Sequence, residues 1–225
     1  DLAFLRGFGV FDFLVTYNKV PFCLDEHVER LERSASLIGL TLNHSHDRIC
    51  EIVMKTLEQN PDHDESNIRI VCSGGVSSDG ITPEGNGSLV VMVTRKRPMP
   101  DSWYTKGAGI ALVKIDRCLP AAKSTNYLSA VWGLQHAATY KAIEAVYLDP
   151  DNRVLEGTTS NIFGVKREMV ITPPDGILMG ITRKKIIGLA ATDFEIEERH
   201  FTKDELLAFD EVFLTSSNKE VAPVV

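Results

Sequence analysis

The chain has 225 residues, enough to bury one or two cores. Its 44% hydrophobic and 24% charged residues are ordinary globular proportions, which exclude a disordered, collagenous or low-complexity chain. With 24 basic against 31 acidic residues the formal net charge is −7, a surface that repels phosphate backbones, so no nucleic-acid partner is expected. The one dense basic cluster, Arg95-Lys96-Arg97, is short, precedes prolines and reads as a solvated linker. Apolar runs such as 89–93 are far too short for a membrane span, and no secretory leader is visible, so no membrane partner is expected. The 4 cysteines form no Cys-x-x-Cys pair and suit reduced, partly buried thiols in a cytoplasmic protein. His44-x-His46 lies in a polar turn without further ligands at metal spacing, so no metal is expected.

Large side chains alternate over 10–17, and Asn18-Lys19 turns that strand into a second at 20–22. Asp25 is placed to cap a helix running to Gly39, with Val28, Leu31, Ala35 and Ile38 at helical spacing. A second amphipathic helix spans 47–60, and Pro61 follows it. Strands at 68–72 and 89–94 enclose a Gly/Ser/Asp-rich loop, 73–87, long enough to suggest a function. Residues 95–101 read as an interdomain linker. A strand at 109–115, a Pro-containing stretch to 125 and a helix at 127–141 come next. Short strands at 145–148, 154–156, 161–165 and 169–172 precede a helix at 182–191, a strand at 194–198, a helix at 202–208 and a strand at 212–215. Hairpins mixed with isolated helices argue an α+β fold. Asp1 begins almost inside a structured segment and Val225 ends a strand-like run, so the chain is expected to be truncated at both ends.

Four local features could carry chemistry. Lys123-Ser-Thr-Asn-Tyr127-Leu128 sets a lysine and a tyrosine at a helix start. Glu156-Gly-Thr-Thr-Ser-Asn161 sets a carboxylate at a strand end before small polar residues. Gly180-Ile181-Thr182 opens a helix with bare amides and a hydroxyl, and Thr215-Ser216-Ser217-Asn218 is a hydroxyl-rich turn. Each alone is a weak signal, because a lysine before a helix is usually a surface residue and Glu-Gly-Thr is usually a turn.

In this order they resemble the fold-type IV enzymes that use pyridoxal 5′-phosphate: branched-chain aminotransferases, D-amino acid aminotransferases and aminodeoxychorismate lyases. Residues 1–12 resemble the family's D-R-G-F-x-x-G-D-G-V-F-E signature, and His27-Val-Glu-Arg30-Leu-Glu-Arg-Ser-Ala35 resembles its H-x-x-R-L-x-x-S-A helix. The four features above match the remaining blocks in register, and the resemblance covers nearly the whole chain. It implies a small N-terminal α/β sandwich-like domain (1–94), a linker (95–101) and a larger mixed β-barrel-like domain with flanking helices (102–225). A homodimer acting on an amino acid and a 2-oxo acid is also implied.

The resemblance gives each residue a role that its chemistry fits. Lys123 would hold the cofactor's aldehyde as a Schiff base and later shuttle the substrate's α-proton. Glu156 would keep the pyridine nitrogen protonated. Arg30, the amides of Ile181 and Thr182, the Thr182 hydroxyl and Ser217 would hold the phosphate. Tyr127 would bond the cofactor's phenolic oxygen, or be a core tyrosine. Phe11 and Asn218 would face the substrate. Arg6 and Arg69, read as cations on buried strands, would bind a substrate carboxylate or else pair with an acid such as Asp12 or Glu84.

This chain departs from the family pattern in four places. Phe8 replaces the aspartate of G-D-G, Arg6 stands where relatives often have an aromatic residue, Asn67 replaces the tyrosine of Y-x-R, and Asp12-Phe13 stands where the lyases usually carry a threonine pair. The last change weakens the lyase alternative, in which pyruvate and 4-aminobenzoate would be released. A non-catalytic binding module on the same fold is a further alternative, opposed by the retention of Lys123 and Glu156.

Overall fold

The computed structural model describes residues 1–225, which divide into two compact units. Unit 1 comprises Asp1–Pro98 with Ala121–Tyr127, and unit 2 comprises Met99–Pro120 with Leu128–Val225. Both mix helices with largely antiparallel sheets, an α+β arrangement. The contacts thus assign the Lys123 segment to the first unit, although it is flanked in sequence on both sides by segments of the second.

Unit 1 is built on a four-stranded sheet in the order β2-β1-β3-β4. β1 (Gly9–Tyr17) turns into β2 (Val20–Pro21) through Asn18 and Lys19, both at positive φ, as a two-residue hairpin requires. β3 (Ser66–Ser73) pairs antiparallel with β1 in the register Leu14↔Ile68, Asp12↔Ile70 and Val10↔Cys72, and β4 (Leu89–Arg95) pairs with β3. Alternation therefore puts Val10, Leu14, Ile68 and Ile70 on one face. They pack against Val28, Leu31 and Ala35 of α2 (Leu24–Leu37) and Ile49 and Val53 of α3 (His46–Glu58), forming a single core. Asp25 does not cap α2. The N-cap is Cys23, in a left-handed conformation with no side-chain cap bond, and Asp25 sits in the first turn, where the helix dipole favours an acid.

A short helix, α1 (Leu2–Arg6), precedes β1. Five residues are too few to show a helical period, which is why the sequence pattern suggests a strand for Arg6. The 73–87 loop is laced internally, with Asp79 accepting from Ser77, Ile81 and Thr82, and Glu84 accepting from Ser78. Asp79 and Glu84 are both held below the usual carboxylate range by these donors. Residues 123–125 line up beside the start of β1: Phe11 N donates to Lys123 O at 2.9 Å and Thr125 N donates to Gly9 O at 2.9 Å.

In unit 2, β5 (Ile110–Lys114) runs parallel to β6 (Glu144–Leu148), with α5 (Leu128–Thr139) packed on both, and β7 (Val154–Gly157) pairs antiparallel with β6. A five-stranded sheet has the order β10-β9-β8-β11-β12. Its strands are β8 (Asn161–Lys166), β9 (Met169–Thr172), β10 (Glu195–Glu198), β11 (Glu211–Ser216) and β12 (Glu220–Val224). α6 (Ile181–Ala190) connects β9 to β10, and α7 (Lys203–Ala208) opens with a capping box between Thr202 and Glu205. Val146, Val154, Ile162, Ile171, Phe201 and Leu214 fill one core, and Ala111, Ala137, Ala145 and Tyr147 fill a second beneath α5. α4 (Ser102–Thr105) is a single turn.

All 4 cysteines are free. Cys118 is exposed rather than partly buried, because it lies in the irregular stretch after β5. No helix is long and apolar enough to cross a membrane. His46 has more neighbours than its sequence suggests: Asp25, from α2, lies at 3.5 Å and Glu32 at 3.2 Å, and Cys50 stands one turn on.

The helix-facing side of β1 carries one charge, Asp12, fully buried between Val10 and Leu14. Arg30 Nε donates to Asp12 Oδ2 at 2.9 Å and Arg30 Nη2 donates to Asp12 Oδ1 at 2.8 Å, while His27 Nδ1 lies 2.7 Å from Oδ1. Burial opposes ionisation of Asp12. The Arg30 charge and the bonds from His27 and Arg30 outweigh it and hold the carboxyl well below its usual range. Burial pushes the His27 imidazole down, against the pull of Asp12. Both folded-state shifts are downward, so the unfolded chain binds more protons as pH falls. Stability is therefore expected to decline from neutrality, first as the pH passes the unfolded histidine value near about 6.5 and again near about 3.9. Denaturant unfolding from pH 7 to 5 should lose stability faster in the native sequence than in His27→Gln. The limit is about 1.4 kcal/mol per pH unit for the one proton. Equal slopes would remove His27 from the account.

Candidate active site

The sequence-predicted residues fall into two sets, one in each unit. Unit 1 holds Arg6, Phe11, Arg30, Arg69, Lys123 and Tyr127. The face of β1 and β3 away from the helices carries Phe11, Phe13 and Arg69, with Arg69 directly opposite Phe13. The half-buried Lys123 places its Nζ 4.7 Å from the centre of the Phe11 ring. Tyr127 meets the same ring edge-on at 5.3 Å. The Arg69 guanidinium lies 5.8 Å from the Phe11 ring and 5.7 Å from the Phe13 ring. Amine, phenol and guanidinium thus gather around one aromatic side chain. The backbone beneath is anchored, because Lys123 N donates to Ser34 Oγ at 3.1 Å and Ser34 Oγ donates to Arg30 O at 2.8 Å.

Two expectations for this unit change. Arg6 and Arg69 are not buried; both are exposed. Arg6 ends α1 and donates through Nε to Gly80 O at 3.0 Å, which ties it to the 73–87 loop. Neither arginine pairs with Asp12 or Glu84, since Asp12 is engaged by His27 and Arg30, and Glu84 by Ser78. Arg30, expected to offer its fork to a phosphate, directs Nε and Nη2 to Asp12.

Unit 2 holds Glu156, Ile181, Thr182, Ser217 and Asn218. Glu156 lies near the end of β7 and is only 4% exposed. Its Oε1 accepts from Arg117 Nη2 at 2.5 Å and from Leu178 N at 2.8 Å, and its Oε2 accepts from Asn161 Nδ2 at 3.0 Å. A buried carboxylate so supplied has a fixed direction. Arg117 is in turn stacked on Tyr147, its guanidinium 4.7 Å from the ring centre.

Helix α6 begins at Gly180 with no side-chain cap bond, so its first amides, including those of Ile181 and Thr182, are not closed off by a cap. A Cβ on Gly180 would collide with Asn161 Oδ1, so the close approach of that turn to β8 demands glycine. Ser217 and Asn218 lie in the turn between β11 and β12. Asn218 Oδ1 in that turn and Thr215 Oγ1 near the end of β11 are buried without a protein partner, which fits a strand end that meets a polar ligand.

Sequence reasoning misses Asp12, Arg117, Glu144 and Lys219. Asp12 is visible in the sequence as a departure from the pattern and as an acid for Arg6 or Arg69, but its actual partners, His27 and Arg30, are not. Arg117 has no local signal, because its partner Glu156 is 39 residues away.

A family model described as Amino-transferase class IV matches residues 9–225. The chain is 34% identical over 233 residues to the D-alanine aminotransferase of Bacillus licheniformis, covering 100% of this chain and 80% of that protein. It is 31% identical over 231 residues to the aminodeoxychorismate lyase of Bacillus subtilis, covering 99% of this chain and 78% of that protein. Among solved structures, the branched-chain aminotransferase of the thermophilic archaeon Thermoproteus uzoniensis with norvaline is similar with a TM-score of 0.90 at 29% identity, covering 99% of this chain and 79% of that one. Matched by that family model over nearly its whole length and by relatives above 30% identity, the chain belongs to the class IV aminotransferases, the fold-type IV family of pyridoxal-phosphate-dependent enzymes.

Proposed function

We propose that this chain is a transaminase that exchanges an amino group between an amino acid and a 2-oxo acid with pyridoxal 5′-phosphate as cofactor. The carrying observation is the grouping of Lys123, Tyr127 and Arg69 about Phe11. The cofactor supplies an electron sink for the carbanion left when the α-proton departs. Lys123 Nζ is the group that bonds to the cofactor and moves the α-proton, as the only amine in that grouping. Tyr127 offers its hydroxyl to the cofactor's phenolic oxygen. In unit 2, Glu156 holds a proton on the ring nitrogen, with Arg117, Leu178 N and Asn161 fixing its direction. The amides of Ile181 and Thr182, the Thr182 hydroxyl and Ser217 receive the phosphate, where the helix dipole favours an anion.

Arg69 binds a substrate carboxylate. Its guanidinium lies against two rings rather than a carboxylate, on an exposed face in the same unit as Lys123. A branched-chain or D-configured amino acid is the donor class. Similarity at 31% identity to a lyase keeps pyruvate release as the second reading. Incubation with aminodeoxychorismate and no 2-oxo acid separates the two, since only a lyase then yields pyruvate. A homodimer goes with the family reading, and sedimentation equilibrium of the holoenzyme tests it.

Borohydride reduction of the holoenzyme should abolish its visible band and add the cofactor's mass at Lys123. Lys123→Ala should lower turnover by at least about a hundredfold, the scale of a lost acid–base group. Turnover close to normal would refute the assignment. Arg69→Ala should raise KM for the amino donor by one to two decades, the loss of about 1.5–3 kcal/mol for a charge-assisted bond, and should leave cofactor affinity unchanged. An unaltered KM for every accepted donor would remove the carboxylate site and leave the cofactor chemistry standing. Glu156→Gln should keep the cofactor bound but slow α-proton exchange, read by deuterium wash-in from solvent. An unchanged exchange rate would count against its role.

A further inference from the structure

Unit 2 buries a second carboxylate and an amine that the reaction above does not use. Glu144, the first residue of β6, is 0% exposed, and Lys219, in the turn between β11 and β12, is 8% exposed. Glu144 Oε1 accepts from the Thr158 hydroxyl. Its Oε2 accepts from Thr159 Oγ1 at 2.8 Å, Ser160 Oγ at 2.9 Å and Lys219 Nζ at 3.0 Å. Lys219 Nζ also donates to Thr159 Oγ1 at 2.5 Å.

Three of these donors are consecutive residues of the turn that joins β7 to β8. The turn is tight: Gly157 N donates to Ser160 O at 2.8 Å, and a Cβ on Gly157 would come within 2.9 Å of Glu144 Cγ. Glu156 immediately precedes this turn and Asn161, which bonds Glu156, immediately follows it. Whatever fixes residues 157–160 therefore fixes the Glu156 carboxylate from both sides. Lys219 is itself seated, its amide donating to Ser216 Oγ at 3.0 Å and its carbonyl accepting from Tyr104 Oη at 3.1 Å. One ammonium thus joins the Glu156 turn to the turn that carries Ser217.

The charges explain why a lysine is needed. An ionised carboxylate only accepts, which is what three hydroxyl donors require of it. A carboxylate without water needs a countercharge close by, and removal of one partner of a buried pair is more disruptive than removal of both.

We propose that Lys219 is a positioning residue: its pairing with Glu144 holds the 157–160 turn so that Glu156 is aimed at the cofactor's ring nitrogen. This rests on the reading of Glu156 given above. The test compares holoenzymes of the native sequence, Lys219→Met, Lys219→Arg and the Glu144→Gln/Lys219→Met pair. Three quantities are read: turnover, the dissociation constant for pyridoxal phosphate, and the pH midpoint of the cofactor's visible band. Lys219→Met should lower turnover and cofactor affinity about tenfold, the scale of coupling within one network, and should displace the band midpoint. Lys219→Arg should restore both to within about threefold, and the double variant should lie nearer the native values than Lys219→Met alone. A folded Lys219→Met protein with native band midpoint and native cofactor affinity overturns the proposal even if it melts earlier, because a tie that serves stability alone would move only the melting temperature. If Lys219→Met does not fold, Lys219→Gln is read by the same criteria. A native protein that takes up no pyridoxal phosphate would instead overturn the functional reading itself.

Discussion

A carboxylate withdrawn from water must be given donors for its lone pairs, and much of this chain is arranged around that demand. Asp12, Glu144 and Glu156 are each almost or wholly inaccessible. None could remain ionised in such places without a cation or several hydrogen bonds. Asp12 draws His27 and Arg30 of α2 onto β1. Glu144 draws three hydroxyls and Lys219 into one cluster. Glu156 draws Arg117, Asn161 and the Leu178 amide. Apolar burial supplies most of the driving force for both units, but it is non-directional. The carboxylates supply the direction, since a hydrogen bond weakens steeply when its angle is wrong.

The direction matters at the strand ends that carry the candidate residues. β7 delivers Glu156 with its oxygens already held by three donors, and β1 delivers Phe11 with Lys123 bound alongside by backbone hydrogen bonds. A group held this way need not reorganise when charge develops, which is the source of most electrostatic catalysis. Side chains mounted on packed strands also hold position better than those on loops. The glycines at 157 and 180 serve the same end, since both sit where a Cβ would strike a hydrogen-bonded neighbour.

Most of the elements were legible because their signals are periodic. Alternation marks β1 and β3, helical spacing marks α2 and α3, and both survive in the fold with shifts of a few residues. The candidate residues were legible because they sit at element ends in recognisable blocks. What could not be read is every partner distant along the chain. Arg117 meets Glu156 across 39 residues, Lys219 meets Glu144 across 75, and Arg30 meets Asp12 across 18. Pairings of that kind are set by sheet register and turn geometry, which local composition does not encode. The same limit explains Arg6. Its helix is shorter than a detectable period, so the buried strand inferred for it was an extrapolation from its neighbours.

The cations sort themselves by the same constraint. Arg30, Arg117 and Lys219 lie in covered places, and each faces a buried carboxylate that neutralises it. Lys123 and Arg69 lie against an aromatic ring, which attracts a cation without discharging it. A ring leaves the Arg69 guanidinium able to meet a new anion, whereas a carboxylate would have occupied it. Phe11 stands apart in that one ring meets two cations from different segments, the Lys123 amine at 4.7 Å and the Arg69 guanidinium at 5.8 Å.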